Sequence, residues 1–239
     1  MIGMKNFFSI LMILGSVLIF GQTKKVTKAH SDLTKFNDSI PALIPQKHNG
    51  KFGFINQYGK IIIPHQYSNV GFFTEDCNLQ NSTNSKVRKF GSNKYASVRL
   101  NGVDYRIDQA GRRVYQFKDS DLAKCTPEFK TQLYHAYVMN GQYGIIEDAV
   151  FTNVTDYRSF KIYPTYSYLH IMEGDDLKNP MIIASYNNKF GVIDVNNKVI
   201  IPFVYSDIKR NYSWKLARMF EVTKNGKDYY FIDVNNKAY

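Results

Sequence analysis

Apolar and polar residues alternate in short runs along most of the chain, as in Tyr95-Ala96-Ser97-Val98-Arg99-Leu100, Ala136-Tyr137-Val138-Met139 and Met181-Ile182-Ile183-Ala184-Ser185-Tyr186. A period of two sends successive side chains to opposite faces of a strand. Asn101-Gly102, Asn140-Gly141 and Asn187-Asn188 follow these runs, and Asn49-Gly50 has the same place in an earlier segment. Asn-Gly favours the positive φ angles of a tight type I′ hairpin turn. A second strand comes next, as in Phe52-Gly53-Phe54-Ile55-Asn56. A second turn, Gln57-Tyr58-Gly59 or Val195-Asn196-Asn197, then leads into a third strand that runs into proline. Proline has no N–H to donate, so it is expected to end the ladder. Each segment therefore predicts a three-stranded β-meander.

The meanders repeat. Asn49 to Asn56 returns as Asn187 to Asp194, Lys60-Ile61-Ile62-Ile63-Pro64 as Lys198-Val199-Ile200-Ile201-Pro202, and Tyr67-Ser68 as Tyr205-Ser206, all at one constant offset. A third copy starts at Asn140-Gly141-Gln142-Tyr143-Gly144, is interrupted, and resumes at Lys161-Ile162-Tyr163-Pro164 and Tyr166. Degenerate copies start at Asn101-Gly102 and Asn225-Gly226, and the chain stops inside the latter. Unit starts near 50, 100, 140, 190 and 225 suit an array of small β units with a period of roughly 40 to 50 residues. The fold expected is all-β: about five antiparallel meander or hairpin repeats, as an open stack or a propeller-like ring. The uneven period tilts this towards the open form. Glycine weakens a strand, so Gly53, Gly144 and Gly191 suggest a close approach, with a neighbouring aromatic lying flat across the strand. Tyr67, Tyr166 and Tyr205 share one repeat position, either packed between units or forming an exposed aromatic row.

This pattern resembles the WG-repeat (KWG-repeat) family. Its unit reads approximately Asn-Gly-Lys-Trp-Gly-aromatic-Ile-Asp, then Gly-Lys, then Val-Ile-Pro and a Tyr. Phe52-Gly53, Tyr143-Gly144 and Phe190-Gly191 stand in the Trp-Gly position, and Pro64, Pro164 and Pro202 in that of the family proline. The family tryptophan is absent from all five units, since the single Trp is Trp214, and Asp104-Tyr105 and Asp228-Tyr229 break the signature. The resemblance spans roughly residues 45 to 239 and is most complete in the first and fourth units. It implies a repeat fold and no general activity.

Outside the repeats, Lys5 precedes an apolar run from Phe7 to Phe20. A charge, a short apolar stretch and a small residue form the layout of a secretory signal peptide, and the run is short for a bilayer span. The expected organisation is a signal peptide over 1–21, a flexible leader over 22–40 and a repeat domain over 41–239, exported and with no membrane span after cleavage. Asn78 to Asn93 reads as a long mobile loop, and Asp119 to Gln132 as holding a helical turn capped by Asp119 or Ser120. Export permits a disulfide between Cys77 and Cys125, although spacing cannot show that they meet.

Composition adds little chemistry. The 18 Tyr and 17 Phe fit half-buried strands. The net charge of +11 comes from scattered residues and matches no nucleic-acid motif, though it suits an anionic surface polymer. His30, His48, His65, His135 and His170 show no paired zinc spacing, and His65 aligns with Phe203, a structural position. Acidic neighbours raise a thiol pKa, so Glu75-Asp76 disfavours Cys77 as a nucleophile. Glu173-Gly174-Asp175-Asp176 lacks the spacing of a calcium loop. Neither a nucleophile elbow nor a phosphate loop occurs. The expectation is a non-catalytic binding module at the cell envelope, without cofactor or metal, whose partner is a protein or a glycan. An all-β hydrolase and a purely structural envelope component are the alternatives.

Overall fold

The computed structural model describes residues 40–126, 132–153, 160–174 and 176–239. The expected signal peptide, most of the leader, His30 and Asp175 lie outside the described residues. The described residues form five small antiparallel sheets in sequence order. The first holds β1 (Leu43–His48), β2 (Lys51–Asn56) and β3 (Ile61–Tyr67). The second holds β4 (Asn69–Phe73), β5 (Ala96–Leu100), β6 (Val103–Ile107) and β7 (Arg113–Gln116). The third holds β8 (Tyr134–Met139), β9 (Gln142–Glu147) and β10 (Phe160–Tyr166), and the fourth β11 (Tyr168–Ile171), β12 (Ile182–Tyr186), β13 (Lys189–Ile193) and β14 (Val199–Tyr205). The fifth holds β15 (Asp207–Ile208), β16 (Phe220–Thr223) and β17 (Tyr230–Ile232).

Local sequence accounts for the turns. Asn49, Asn101, Asn140 and Asn187 have φ of 47–53°, and each is followed by a residue that also has positive φ. This is the type I′ geometry expected of them. The second turn is built on one side chain. Asn56, Asp108, Asp194 and Asp233 each accept, through Oδ1, the backbone N–H groups two and four residues later. A short Asx side chain thus replaces a backbone partner and closes four equivalent turns. A serine carries the chain from one sheet to the next. The N–H and hydroxyl of Ser68 both donate to Arg99 O, those of Ser167 to Ser185 O, and those of Ser206 to Thr223 O.

Proline does not end the third strand. Pro64, Pro164 and Pro202 lie within β3, β10 and β14, at a bulge. Phe52 pairs with Tyr67 and Phe54 with Ile63, so three residues on β3 face one on β2; β9–β10 and β13–β14 repeat this register. The missing proline N–H falls where no ladder bond is needed. The bulge folds over the glycine opposite. A Cβ on Gly53 would sit 2.5 Å from Ile63 O and 2.8 Å from His65 N, and one on Gly191 2.6 Å from Ile201 O and 3.0 Å from the Phe203 ring. At Gly144 it would overlap Ile162 O. The close approach is thus backbone on backbone at all three, with an aromatic ring joining it at Gly144 (Phe160) and at Gly191 (Phe203). Tyr105 takes the glycine's place in the second sheet, where β7 lacks proline and the Tyr105–Gln116 and Arg106–Tyr115 pairs run in step.

Four apolar clusters join the sheets. Phe54, Ile63 and Tyr67 pack on Ala96, Val98 and Ile107 between the first and second. Ile162 and Tyr166 pack on Ile182 and Ile193 between the third and fourth, and Ile201 and Tyr205 on Phe220 and Ile232 between the fourth and fifth. Ile40, Ile44 and Ile55 pack on Ala217 and Met219, so the first sheet also meets the fifth. Phe72 stands edge-on to Phe231 at 5.1 Å, and Lys237 Nζ donates to Gln57 O. The expected tilt towards an array with separate ends is therefore wrong. Ile40, assigned from sequence to the flexible leader, belongs to this core. Each buried Ile or Phe contributes about 1.5–3 kcal/mol. An exposed ion pair such as Arg99–Asp104 is screened by solvent and adds little, so burial dominates.

Tyr67, Tyr166 and Tyr205 are buried between sheets and form no exposed row. Tyr166 donates to Asn197 Oδ1 at 2.6 Å and Tyr205 to Asn236 Oδ1 at 2.5 Å, each reaching the second turn of the following sheet.

The 78–93 segment is not a mobile loop. It contains α1 (Cys77–Gln80), α2 (Ser85–Arg88) and a 3-10 turn over Lys89–Gly91, with Leu79, Ser82 and Val87 buried. Arg106 stands where Phe54 stands in the first sheet. Its buried guanidinium donates to Phe90 O, Ser92 O, Tyr95 O and Ser97 Oγ, and Asp76 lies at 3.7 Å. Cys77 is bonded to Cys125, which ties the descending 117–126 segment to this cap. The turn expected after Asp119 is a single 3-10 turn, Asp119–Asp121, flanked by Lys118.

Two outcomes test these contacts. Gly191→Ala should lower stability by about 1–3 kcal/mol in urea denaturation, because backbone cannot yield as a side chain can. Val138→Ala, at an exposed strand position, should stay within about 0.5 kcal/mol. An unchanged midpoint for Gly191→Ala would refute the close-approach requirement. Burial raises the Tyr205 phenol from 10.0 to about 12. The neutral form is favoured, so this contribution is whole below pH 10 and is lost as pH rises through about 12. Tyr205→Phe should cost about 1 kcal/mol at neutral pH and give a shallower alkaline loss of stability, read by denaturation across that window.

Candidate functional site

The two ends of the sheets differ. Tight Asn-Gly turns and serine corners occupy one end. The other carries the long connections 74–95, 172–181 and 209–219, together with the Asx turns. Loops on a rigid scaffold are where binding groups are usually placed. Two adjoining cavities, of about 200 and 320 Å³, open among them and share Met172, Gly174, Asp176 and Pro180. Ile40, Trp214 and Arg218 complete the larger, and Leu133, Tyr134 and Lys215 the smaller.

Local contacts hold the lining. Asn211 Oδ1 accepts Ser213 N–H and starts α3 (Ser213–Ala217), which ends at Arg218 in a left-handed conformation, φ 55°. This helix sets the Trp214 ring flat on Phe220, with centroids 4.7 Å apart, and the Arg218 guanidinium 5.3 Å from the indole. Gly174 lies against Trp214; a Cβ there would come 3.2 Å from the indole Nε1. Asp176 Oδ1 accepts the N–H groups of Lys178 and Asn179, and Tyr134 donates to Lys178 O, so the 172–181 connection is internally bonded. Glu173 and Lys215 pair at 3.6 Å on the exposed rim.

Indole, thioether and aliphatic groups share the lining with Asp176, Gln132 and Asn179, and Glu173, Lys215 and Arg218 add further charge. Small-molecule sites usually measure about 300–1,000 Å³; the smaller cavity falls below that range and the larger lies at its lower edge, a size that accepts one inserted side chain or a small ligand. None of the twelve residues picked out by the repeat pattern lines either cavity. Phe52, Tyr143 and Phe190 are half-buried on second strands, Gly53, Gly144 and Gly191 lie under the bulges, and the prolines and tyrosines have the roles described above. The lining comes from the connections, where the repeat signal is silent. The single Trp214, lying between two repeats, was the one cue to it in the sequence.

The histidines are dispersed. His48 and His65 face each other at 5.5 Å in the first sheet, whereas His135 bonds Asp148 at 2.7 Å and stacks on Phe151. Burial and then Arg210 lower the His170 pKa. Among the described residues, no three or more His, Cys, Asp or Glu side chains gather around a point that could hold a metal ion, and no helix is long and apolar enough to cross a membrane.

A crystal structure of the eukaryotic initiation factor aligns with 82% of this chain at 10% identity and a TM-score of 0.28. The alignment covers 51% of that protein, so the chain spans about half its length. No curated protein matches. The family model of the WG-containing repeat matches residues 52–77 and 190–227, which are the first and fourth units with their glycine-covered bulges. With that signature built into several small antiparallel sheets, the chain carries WG-containing repeats at these two places.

Proposed function

We propose that this chain is an exported, non-catalytic interaction module of the cell envelope, and that its loop face receives an apolar side chain of a protein partner. The observation that carries the reading is the pair of adjoining cavities around Met172 and Trp214. A preformed apolar recess with charges around it is the usual anchor geometry of a protein interface. Repeat scaffolds offer such surfaces without needing reactive groups. The Lys5 to Phe20 layout supports export, and a disulfide between Cys77 and Cys125 is compatible with an oxidising compartment.

The test uses the chain from Gln22 onwards as bait on envelope extract. Any captured protein is then purified and titrated directly. Leu177→Glu, on the exposed rim, should leave thermal stability unchanged and weaken binding at least about tenfold. Val138→Glu, away from the loops, should bind as the unchanged chain does. Equal binding by Leu177→Glu would move the interface elsewhere. Turnover of a glycan or ester panel that disappears in Glu173→Gln would replace binding with hydrolysis.

A further inference from the structure

The first sheet carries a pair of histidines where its relatives within the chain carry packing residues. His48 is the last residue of β1, just before the Asn-Gly turn, and His65 follows Pro64 in the β3 bulge. In the fourth sheet these two places hold Tyr186 and Phe203, with rings 5.9 Å apart at 60°. In the third they hold Met139 and Thr165. The scaffold brings the two positions together: the bulge passes over Gly53, so a residue of β3 reaches across β2 to β1. In the first sheet both are imidazoles, 5.5 Å apart between ring centroids and inclined at 51°.

We propose that His48 and His65 form a binding site for a divalent transition-metal cation of the zinc and copper class. Two imidazoles bound to one ion at about 2.0–2.1 Å per nitrogen have ring centres about 5–6.5 Å apart, which includes the observed spacing. Gln46 Oε1 lies 3.2 Å from His65 Nε2. An amide oxygen can only accept, so Nε2 carries the proton and Nδ1 keeps the lone pair that a metal needs. Orientation by an outer partner of this kind is usual for ligating histidines. With two protein donors the remaining coordination positions stay open to water or to an exogenous ligand. The site stands on the Asn-Gly end of the first sheet and shares no residue with the cavities at the loop end, so it does not depend on the binding reading above.

The experiment is a titration of Zn²⁺ into the full chain, followed by calorimetry and by the ring-proton NMR signals of the histidines. One equivalent should bind with a Kd of about 100 μM or tighter, with two histidines shifting together. His65→Phe and His48→Tyr each install the residue that the fourth sheet tolerates at that place, so folding should persist. Each should weaken binding at least about tenfold. His135→Asn should leave the affinity as it was. Absence of saturable one-equivalent binding, or binding that survives both His65→Phe and His48→Tyr, would overturn the assignment.

Discussion

The array depends on apolar side chains pressed between neighbouring sheets. A small sheet of three or four strands of two to seven residues has an apolar face that must be buried against another element. Ile63 and Tyr67 gain burial because Val98 and Ile107 cover them, and Ile201 and Tyr205 because Phe220 and Ile232 do. The Tyr166 and Tyr205 hydroxyls and the corner serines then fix how the sheets meet, since each has a partner in the sheet that follows. Meeting of the first and fifth sheets applies the same principle to the two ends of the repeat series. Ile40 and Ile44 find their cover in Ala217 and Met219, nearly the full length of the domain away in sequence.

The glycine under each bulge couples local to tertiary structure. It allows three extra-long third strands to arch over the second, and the arch brings residues of the first and third strands into contact. The same geometry serves different chemistry in each unit: a ring pair at Tyr186 and Phe203, an imidazole pair at His48 and His65. Where Tyr105 replaces the glycine, the arch is lost. The second sheet is then completed differently, with Arg106 turned from a core position into the hub of the 74–95 cap. Its charge is tolerated because backbone carbonyls surround the guanidinium; an unpaired buried charge would be prohibitive.

Functional capacity follows from an asymmetry of the ends. Connections at one end are as short as two residues and leave no room for variation. At the other, beside the equivalent Asx turns, the connections 74–95, 172–181 and 209–219 run to ten residues or more and differ from unit to unit. The disulfide closes one of them, Arg106 organises it, and a one-turn helix carries Trp214 in another. Cavities arise where such unlike connections meet, so they owe nothing to the repeat itself.

The repeated hairpins and their tight turns were legible in the sequence because they rest on contacts a few residues apart, alternation and Asn-Gly pairs; the fourth strand of the second and fourth sheets and the Asx bonding at 56, 108, 194 and 233 were not. The need for a close approach at Gly53, Gly144 and Gly191 was legible too, since a glycine inside a strand implies one. That the approach is an arched backbone with Pro64, Pro164 and Pro202 inside it was not, because a bulge is a property of pairing between strands. Long-range burial lay further out of reach: polar Asn78–Asn93 reads as loop until Arg106 is seen beneath it, and Ile40 reads as leader until Met219 covers it. Pairing of Cys77 with Cys125, the meeting of the first and fifth sheets, and the cavity at Trp214 were decided by tertiary structure alone. Each joins residues that no local pattern relates, and only packing in three dimensions determines which of them touch.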